Sequence, residues 1–299
     1  MRIEIRVVMR RPLPIFVTTV FFAGALCSLG ARVPRGSDGI GPAGIPSRSY
    51  LGFDNNIYPG DAALRTLRET FSFSGFWLNP PPGEASNTWQ GKREILAAHG
   101  FGFLVLFNGR LDSELQPPAG AKSLGARDAA VAVAAAKKQG FSARTIIFLD
   151  QEEGGRMLPE QKAYVYAWVD AVNASGFRAG VYCSGIPALD DDGTTVITAN
   201  NLLQNSAGRK IVFFVYNDAC PPSPGCAFPE PSPSPRESGV PFAAIWQFAQ
   251  SPRRPGYTLS CPSQYDADGN CYAPLLKKID GVYIDVDTAS SPDPSFGRR

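Results

Sequence analysis

The stretch Thr145-Ile146-Ile147-Phe148-Leu149-Asp150-Gln151-Glu152 decides how the chain is expected to fold. Its unbroken apolar run, with two β-branched residues, predicts a strand that is buried on both faces. Strands of this kind are typical of parallel sheets that are covered by helices. Because carboxylates follow the run directly, the stretch predicts a parallel strand whose carboxyl end carries polar side chains.

Seven further runs of the same character occur along the chain, and helical patterns lie between most of them. The runs span 49–54, 74–78, 102–107, 178–183, 210–216, 242–248 and 281–286, and the helix candidates span 60–70, 88–99, 124–139, 160–175 and 194–207. This alternation predicts an α/β fold with a parallel sheet. Eight strands suggest closure into a single TIM-like (β/α)8 barrel, which commonly takes about 250 residues.

The last units of this barrel are expected to be irregular. The stretch 218–239 is rich in Pro and Ser and gives no helix pattern, and the connection over 251–273 carries a pair of cysteines. An open doubly wound sheet is the structural alternative, although no Gly-rich phosphate loop follows any of the strands.

The first 47 residues are interpreted as a targeting segment followed by a linker. Arg10 and Arg11 precede an apolar run over 15–29 and then small residues, which predicts a signal peptide over 1–31. The run is shorter than the roughly 20 residues of a spanning helix, although an uncleaved anchor remains an alternative. Residues 32–47, rich in Gly, Pro, Arg and Ser, predict a flexible linker. The barrel is then expected over 48–290, followed by a disordered tail over 291–299.

Export predicts an oxidising compartment, in the periplasm, on the cell surface or outside the cell, with no membrane span after cleavage. The cysteines agree, since Cys220 and Cys226 lie close together, as do Cys261 and Cys271. Two local disulfides are the simplest pairing, and crossed partners remain open. Cys183 lies on an apolar run, which favours a buried free thiol.

Composition excludes several classes of function. The formal net charge is only +2, and the 29 basic residues form no stripe or tail, so nucleic-acid binding is not expected. The only histidine, His99, lies where a helix is expected to end, which argues against Ser-His-Asp and Cys-His catalysis and against most zinc sites. We expect a monomer that needs no cofactor.

Acidic residues end three or four of the predicted strands. Asp54 ends the first strand, Asp150 and Glu152 follow the fourth, and Asp285 and Asp287 end the eighth. The carboxyl ends of parallel barrel strands converge at one mouth, so we expect these acids to cluster. Glycoside hydrolysis needs such a cluster, with one acid protonated and another ionised. Two other interpretations stay open: a hard cation held by Asp54, Asp150 and Asp285, or helix capping by single aspartates.

Aromatic and amide side chains at the same strand ends could bind sugar rings and hydroxyls. The expected substrate-binding residues are Phe53, Asn108, Tyr182, Tyr216, Trp246, Gln247 and Asp287.

Five motifs occur in an order that resembles a known group of enzymes. They are Gly52-Phe53-Asp54, Ile146-Ile147-Phe148-Leu149-Asp150-Gln151-Glu152, Gly180-Val181-Tyr182-Cys183-Ser184, Trp246-Gln247-Phe248 and Ile284-Asp285. This order resembles the family-25 glycoside hydrolases, which are lysozyme-type muramidases. It is more similar still to the domain of unknown function 1906, a bacterial group described as glycoside-hydrolase-like, over about residues 48–288.

The resemblance implies roles for the acids. Glu152 would be the proton donor, Asp150 and Asp285 would stabilise or activate at the anomeric carbon, and Asp54 matches the first-strand aspartate. Tyr182 and Gln247 match substrate-pocket positions. The chain departs from the lysozyme pattern in the residues 55–58 after Asp54 and in having Asp287 where asparagine is common.

The sequence therefore predicts an exported glycoside hydrolase that acts on peptidoglycan or another extracellular polysaccharide. One alternative is a catalytically inactive barrel that binds glycans at the cell envelope. Another is an exported hydrolase or interaction protein with unrelated chemistry.

Overall fold

In the part of the chain that the structure describes, eight strands close into a barrel, with a small hairpin beside them. The structure is a computed structural model, and it describes residues 48–217, 231–250 and 284–298. The strands are β1 (Tyr50–Asp54), β2 (Phe73–Trp77), β3 (Gly102–Asn108), β4 (Ile146–Asp150), β5 (Arg178–Ser184), β6 (Ala188–Leu189), β7 (Thr195–Val196), β8 (Val212–Tyr216), β9 (Ile245–Ala249) and β10 (Asp285–Ala289). The helices are α1 (Leu64–Thr70), α2 (Arg93–Ala98), α3 (Ala121–Lys138), α4 (Pro159–Ala174) and α5 (Thr198–Gln204).

The barrel order is β1-β10-β9-β8-β5-β4-β3-β2, and β6 and β7 form the separate hairpin. All barrel strands except β10 run parallel to one another. The predicted TIM-like α/β barrel is confirmed.

Aromatic side chains on the outer face of the strands fill the layer beneath the helices. Phe53 of β1 packs edge-on against Phe71 and Phe101, with ring centroids 5.3 and 5.9 Å apart. Phe76 and Phe103 meet Phe141 in the same way, at 5.2 and 5.3 Å. Burying such rings supplies much of the free energy that holds helices on a sheet.

The last strand differs from the expected parallel pattern. β10 runs antiparallel to both β1 and β9. Its amino end therefore lies at the mouth, where the carboxyl ends of the other strands meet. Asp285 lies opposite Asp54, whereas Asp287 lies opposite Gly52, one layer deeper in the barrel.

The C-terminal segment is not the disordered tail that the sequence suggested over 291–299, because residues 291–298 pack against the barrel. Ser295 and Asp293 bind the edge of β3 below the point where β4 begins to pair with it. The backbone N–H of Ser295 donates to the Phe103 carbonyl at 2.9 Å. The Ser295 carbonyl accepts from the backbone N–H of Ile146, also at 2.9 Å. Asp293 Oδ1 accepts from the Phe103 amide at 2.9 Å. The segment is ordered because it satisfies strand groups that no neighbouring strand reaches.

Several predictions fall outside the described residues: the signal peptide 1–31, the linker 32–47, and the cysteines Cys220, Cys226, Cys261 and Cys271. Cys183 is buried and free, as predicted, and burial raises the pKa of its thiol. Among the described helices, none combines the length and the apolar character needed to cross a membrane.

Candidate active site

Three strands bring aspartates together at the mouth of the barrel. Asp54 ends β1, Asp150 ends β4, and Asp285 begins the antiparallel β10 directly opposite Asp54. Asp54 and Asp150 are each only 5% exposed. Because the two carboxyl groups are close, the charge of Asp54 contributes to raising the pKa of Asp150. The structure thus assembles the acids that the sequence placed at strand ends.

Asp54 is held by one amide and by a fixed turn. Gln247 Nε2 donates to Asp54 Oδ2 at 2.9 Å. The turn after Asp54 is fixed by two indole N–H groups, since Trp77 Nε1 and Trp89 Nε1 both donate to the Asn55 carbonyl, at 3.1 and 3.0 Å. Burial raises the pKa of Asp54 to about 6, against the lowering effect of the hydrogen bond from Gln247 and of the neighbouring Asp287 carboxyl group.

Gln247 is the centre of a hydrogen-bond network inside the barrel. Its Oε1 accepts from the Tyr182 hydroxyl at 2.7 Å and from Gln250 Nε2 at 2.6 Å, while its Nε2 also reaches Asp285 Oδ2 at 3.4 Å. The predicted pocket residue Gln247 therefore contacts the acids directly. Tyr182, the other predicted pocket residue, is linked to the acids through the Gln247 amide. Sequence reasoning missed Gln250, although it is a polar residue at a strand end like those that were found.

Asp150 and Glu152 differ in their exposure. Asp150 is buried and Glu152 is exposed on the loop that follows β4. Burial, followed by the charges of Glu152 and Asp54, raises the pKa of Asp150 well above its usual range. Within the described part of the chain, no hydrogen bond reaches Asp150 Oδ1. The Tyr216 hydroxyl donates to the Glu152 backbone carbonyl at 3.3 Å, which ties this loop to β8.

Glu153 anchors the same loop, a role that the sequence did not indicate. Its Oε2 accepts from Gln161 Nε2 at 2.6 Å, from the Asp112 amide at 2.9 Å and from Gln151 Nε2 at 3.4 Å. These donors come from α4, from the loop after β3 and from the loop itself. Glu153 therefore fixes the backbone on which Glu152 is carried.

Two predicted substrate-binding residues lie away from the mouth. Successive side chains of a strand point to opposite faces, so with Asp54 and Gln247 inside the barrel, Phe53 and Trp246 point outward. Phe53 is fully buried under the helices. Trp246 is 4% exposed, donates from Nε1 to the Asn217 carbonyl at 3.1 Å and packs on Phe248. The structure therefore places neither ring beside the acids at the mouth, where the sequence expected them to bind substrate.

The remaining predicted binding residues lie on the inner face. Tyr182 and Tyr216 stack obliquely with ring centroids 5.5 Å apart. Asn108 pairs in register with Asp150, and its Nδ2 donates to the Pro80 carbonyl at 3.0 Å. Asp287 is fully buried below the mouth. The antiparallel direction of β10 therefore places Asp287 inside the barrel, one layer below Asp285, and not at the mouth where the sequence expected it.

The cation site that the sequence left open gains no support. Among the described residues, no three His, Cys, Asp or Glu side chains are grouped so that they could hold a metal ion.

Comparison with known families identifies one match in the chain. Residues 82–208 match the family model of the Rv2525c-like, glycoside hydrolase-like domain. This range carries β3, β4 and β5 with Asp150, Glu152 and Tyr182. The resemblance to a glycoside-hydrolase-like family is thereby confirmed. No curated protein sequence matches the chain.

Solved structures resemble the chain at low sequence identity. An uncharacterised B. stearothermophilus protein is 16% identical, with a TM-score of 0.51 over 80% of this chain and 95% of its own. The Mycobacterium tuberculosis Tat-secreted protein Rv2525c, in complex with L-tartrate, is 14% identical, with a TM-score of 0.50 over 84% of this chain and 98% of its own. The bacterial lysozyme of Streptomyces coelicolor is 12% identical, with a TM-score of 0.47 over 83% of this chain and 97% of its own.

Proposed function

We propose that the chain is an exported glycoside hydrolase that cleaves glycosidic bonds in peptidoglycan or another extracellular polysaccharide. The observation that carries the proposal is the convergence of Asp54, Asp150 and Asp285 at one barrel mouth with Glu152 beside them. The match of residues 82–208 to a glycoside hydrolase-like domain supports the same reaction class.

The chemistry needs one carboxyl that gives a proton and another that stays negative. Glu152 suits the first role, because it is exposed on a loop that Glu153 and Tyr216 hold in place. A sugar bound over the mouth would remove water from Glu152, and loss of water favours the protonated form of a carboxyl group. Asp54 and Asp285 lie opposite each other and would stabilise positive charge at the anomeric carbon.

Substrate contacts are proposed for the polar side chains on the inner face. The half-buried Tyr216 ring offers a partly accessible surface, and Asn108 lies at the rim. Amide and hydroxyl groups of this kind bind sugar hydroxyls and orient the ring.

Export belongs to the same proposal and rests on the sequence alone. The predicted signal peptide over 1–31 and the cysteines that lie close together in the sequence support a protein that acts outside the cytoplasm. Sequencing the amino terminus of the secreted protein tests this, and an amino terminus upstream of residue 31 would contradict cleavage there.

The test of activity is the release of reducing ends from peptidoglycan, chitin, and α- and β-glucans. Wild type is compared with Glu152→Gln, and Glu84→Gln, which changes an exposed loop carboxylate, is the matched control. Loss of the general acid should slow release by about 10²–10⁴-fold. Equal release by wild type and Glu152→Gln would remove Glu152 from the proposed role.

The second candidate is a barrel that binds glycans without cleaving them. It is favoured by the small exposure of Asp54 and Asp150 and by the engagement of Asp54 with Gln247. Under this hypothesis, wild type and Glu152→Gln would retain the same glycan in a pull-down, and neither would release reducing ends.

A further inference from the structure

Asp287 is a carboxyl group enclosed inside the barrel. It has no exposed surface, and it lies two residues below Asp285 on the inner face of β10. Its neighbours in register are Gly52 of β1 and Gln247 of β9. Gly52 is itself closely covered, because a Cβ there would lie 2.1 Å from the Phe73 ring. The Phe73 ring therefore fills the space over Gly52, on the β1 side of Asp287.

Hydrogen-bond donors around Asp287 are already committed to other groups. The Nε2 of Gln247 donates to Asp54 and Asp285, and the Tyr182 hydroxyl donates to Gln247. Neither oxygen of Asp287 accepts a hydrogen bond from the described residues. An ionised carboxylate without a donor in such an interior is strongly unfavourable, whereas a protonated carboxyl group can donate.

Asp54 is the acceptor that Asp287 can reach. Asp54 and Asp287 are diagonal neighbours on the inner face of the β1–β10 pair, and each carboxyl group affects the pKa of the other. Asp54 also accepts from Gln247, which stabilises its ionised form, whereas none of the described residues donates to Asp287. A single proton between the two therefore belongs on Asp287.

We propose that Asp287 carries a proton at neutral pH and donates it in a hydrogen bond to an ionised Asp54. Asp287 is thus a positioning residue for Asp54, and only this consequence rests on the proposed function. The carboxyl group lets Asp54 stay negative without placing two adjacent charges inside the barrel.

Electrostatics around the pair point the same way. Burial, followed by the charges of Asp54 and Asp285, raises the pKa of Asp287 well above its usual range. The other titratable groups of this network are Tyr182 on β5 and Asp150 on β4, and Gln247 on β9 is neutral. Asp54 has its pKa raised only to about 6, so it ionises first.

Infrared difference spectroscopy of the full chain at neutral pH tests the proposal without any substrate. The carboxylic-acid C=O band of Asp287→Asn should be weaker than that of wild type by the intensity of one group. The carboxylate bands of the two proteins should be equal. Asp191→Asn is the matched control, since it removes an exposed aspartate and should lose one carboxylate. Loss of a carboxylate in Asp287→Asn, with the acid band unchanged, would overturn the proposal.

An alkaline titration of wild type provides a second readout that does not depend on the variant folding. Wild type should show a carboxylic-acid band at neutral pH, to which Asp150 also contributes because its pKa is raised, and the band should disappear on the alkaline side. Its absence at neutral pH would overturn the proposal. If the chain proves to hydrolyse a glycan, Asp287→Asn, whose amide can still donate to Asp54, should leave the acidic limb of the pH–rate profile in place, whereas Asp287→Leu, which cannot donate, should move that limb to higher pH. Failure of hydrolysis itself would leave the infrared result intact, so the two failures are distinguishable.

Discussion

Gly75 of β2 is the position where a single methyl group should disturb the candidate site most directly. A Cβ there would lie 2.6 Å from the Asp54 Cβ, 3.1 Å from the Asp54 Cα and 3.6 Å from the Leu106 Cδ1. Contacts below 3.0 Å are essentially never adopted by real Cβ atoms. Because the obstacle is the main chain and Cβ of β1, no flexible side chain can move aside.

The magnitude follows from two opposing effects. Overpacking a closed interior costs about 1–3 kcal/mol, and we place this site at the upper end because backbone must move. Restricting the unfolded chain returns about 0.4–1 kcal/mol. We therefore expect Gly75→Ala to lower the free energy of unfolding by about 2 kcal/mol, and to weaken the bond between Asp54 and Gln247.

Urea unfolding followed by tryptophan fluorescence measures this change. Gly120→Ala is the matched control, since a Cβ at Gly120 meets nothing within 4 Å and its φ is −87°. The control should change the free energy of unfolding by less than about 1 kcal/mol in either direction. Equal midpoints for the two variants would refute the close packing of β2 against Asp54.

Two further predictions concern carboxyl groups of the site. The folded chain binds the Asp54 proton more tightly than the unfolded chain, since its pKa rises from 3.8 to about 6. Relative to Asp54→Asn, wild type should therefore lose about 3 kcal/mol of unfolding free energy as pH rises through this window; a constant difference in urea unfolding would contradict the burial of Asp54. Glu153→Gln should lower the free energy of unfolding by about 1–3 kcal/mol, because three donors exchange a charged acceptor for a weaker neutral one. Glu84→Gln should leave thermal unfolding unchanged, and an equal shift in both variants would argue against an anchoring role for Glu153.

The sequence by itself determined the elements of the barrel. Apolar runs located the eight barrel strands, and the five helix candidates match α1 to α5 with differences at their ends. Strand and helix patterns are local, because they depend on the spacing of apolar residues along a short segment. The acids could be placed at strand ends for the same reason. The period of two also carried the information that Phe53 must face away from Asp54.

Only the tertiary structure decided the direction of β10, the depth of Asp287 and the position of residues 291–298. Each of these depends on which groups pair across the barrel, and the partners are far apart in the chain: Gln247 and Asp54 are separated by 193 residues. A strand shows its buried face through its own composition, whereas its direction and register are fixed by hydrogen bonds to neighbours. The antiparallel pairing of β10 therefore placed Asp285 at the mouth and buried Asp287 beneath it.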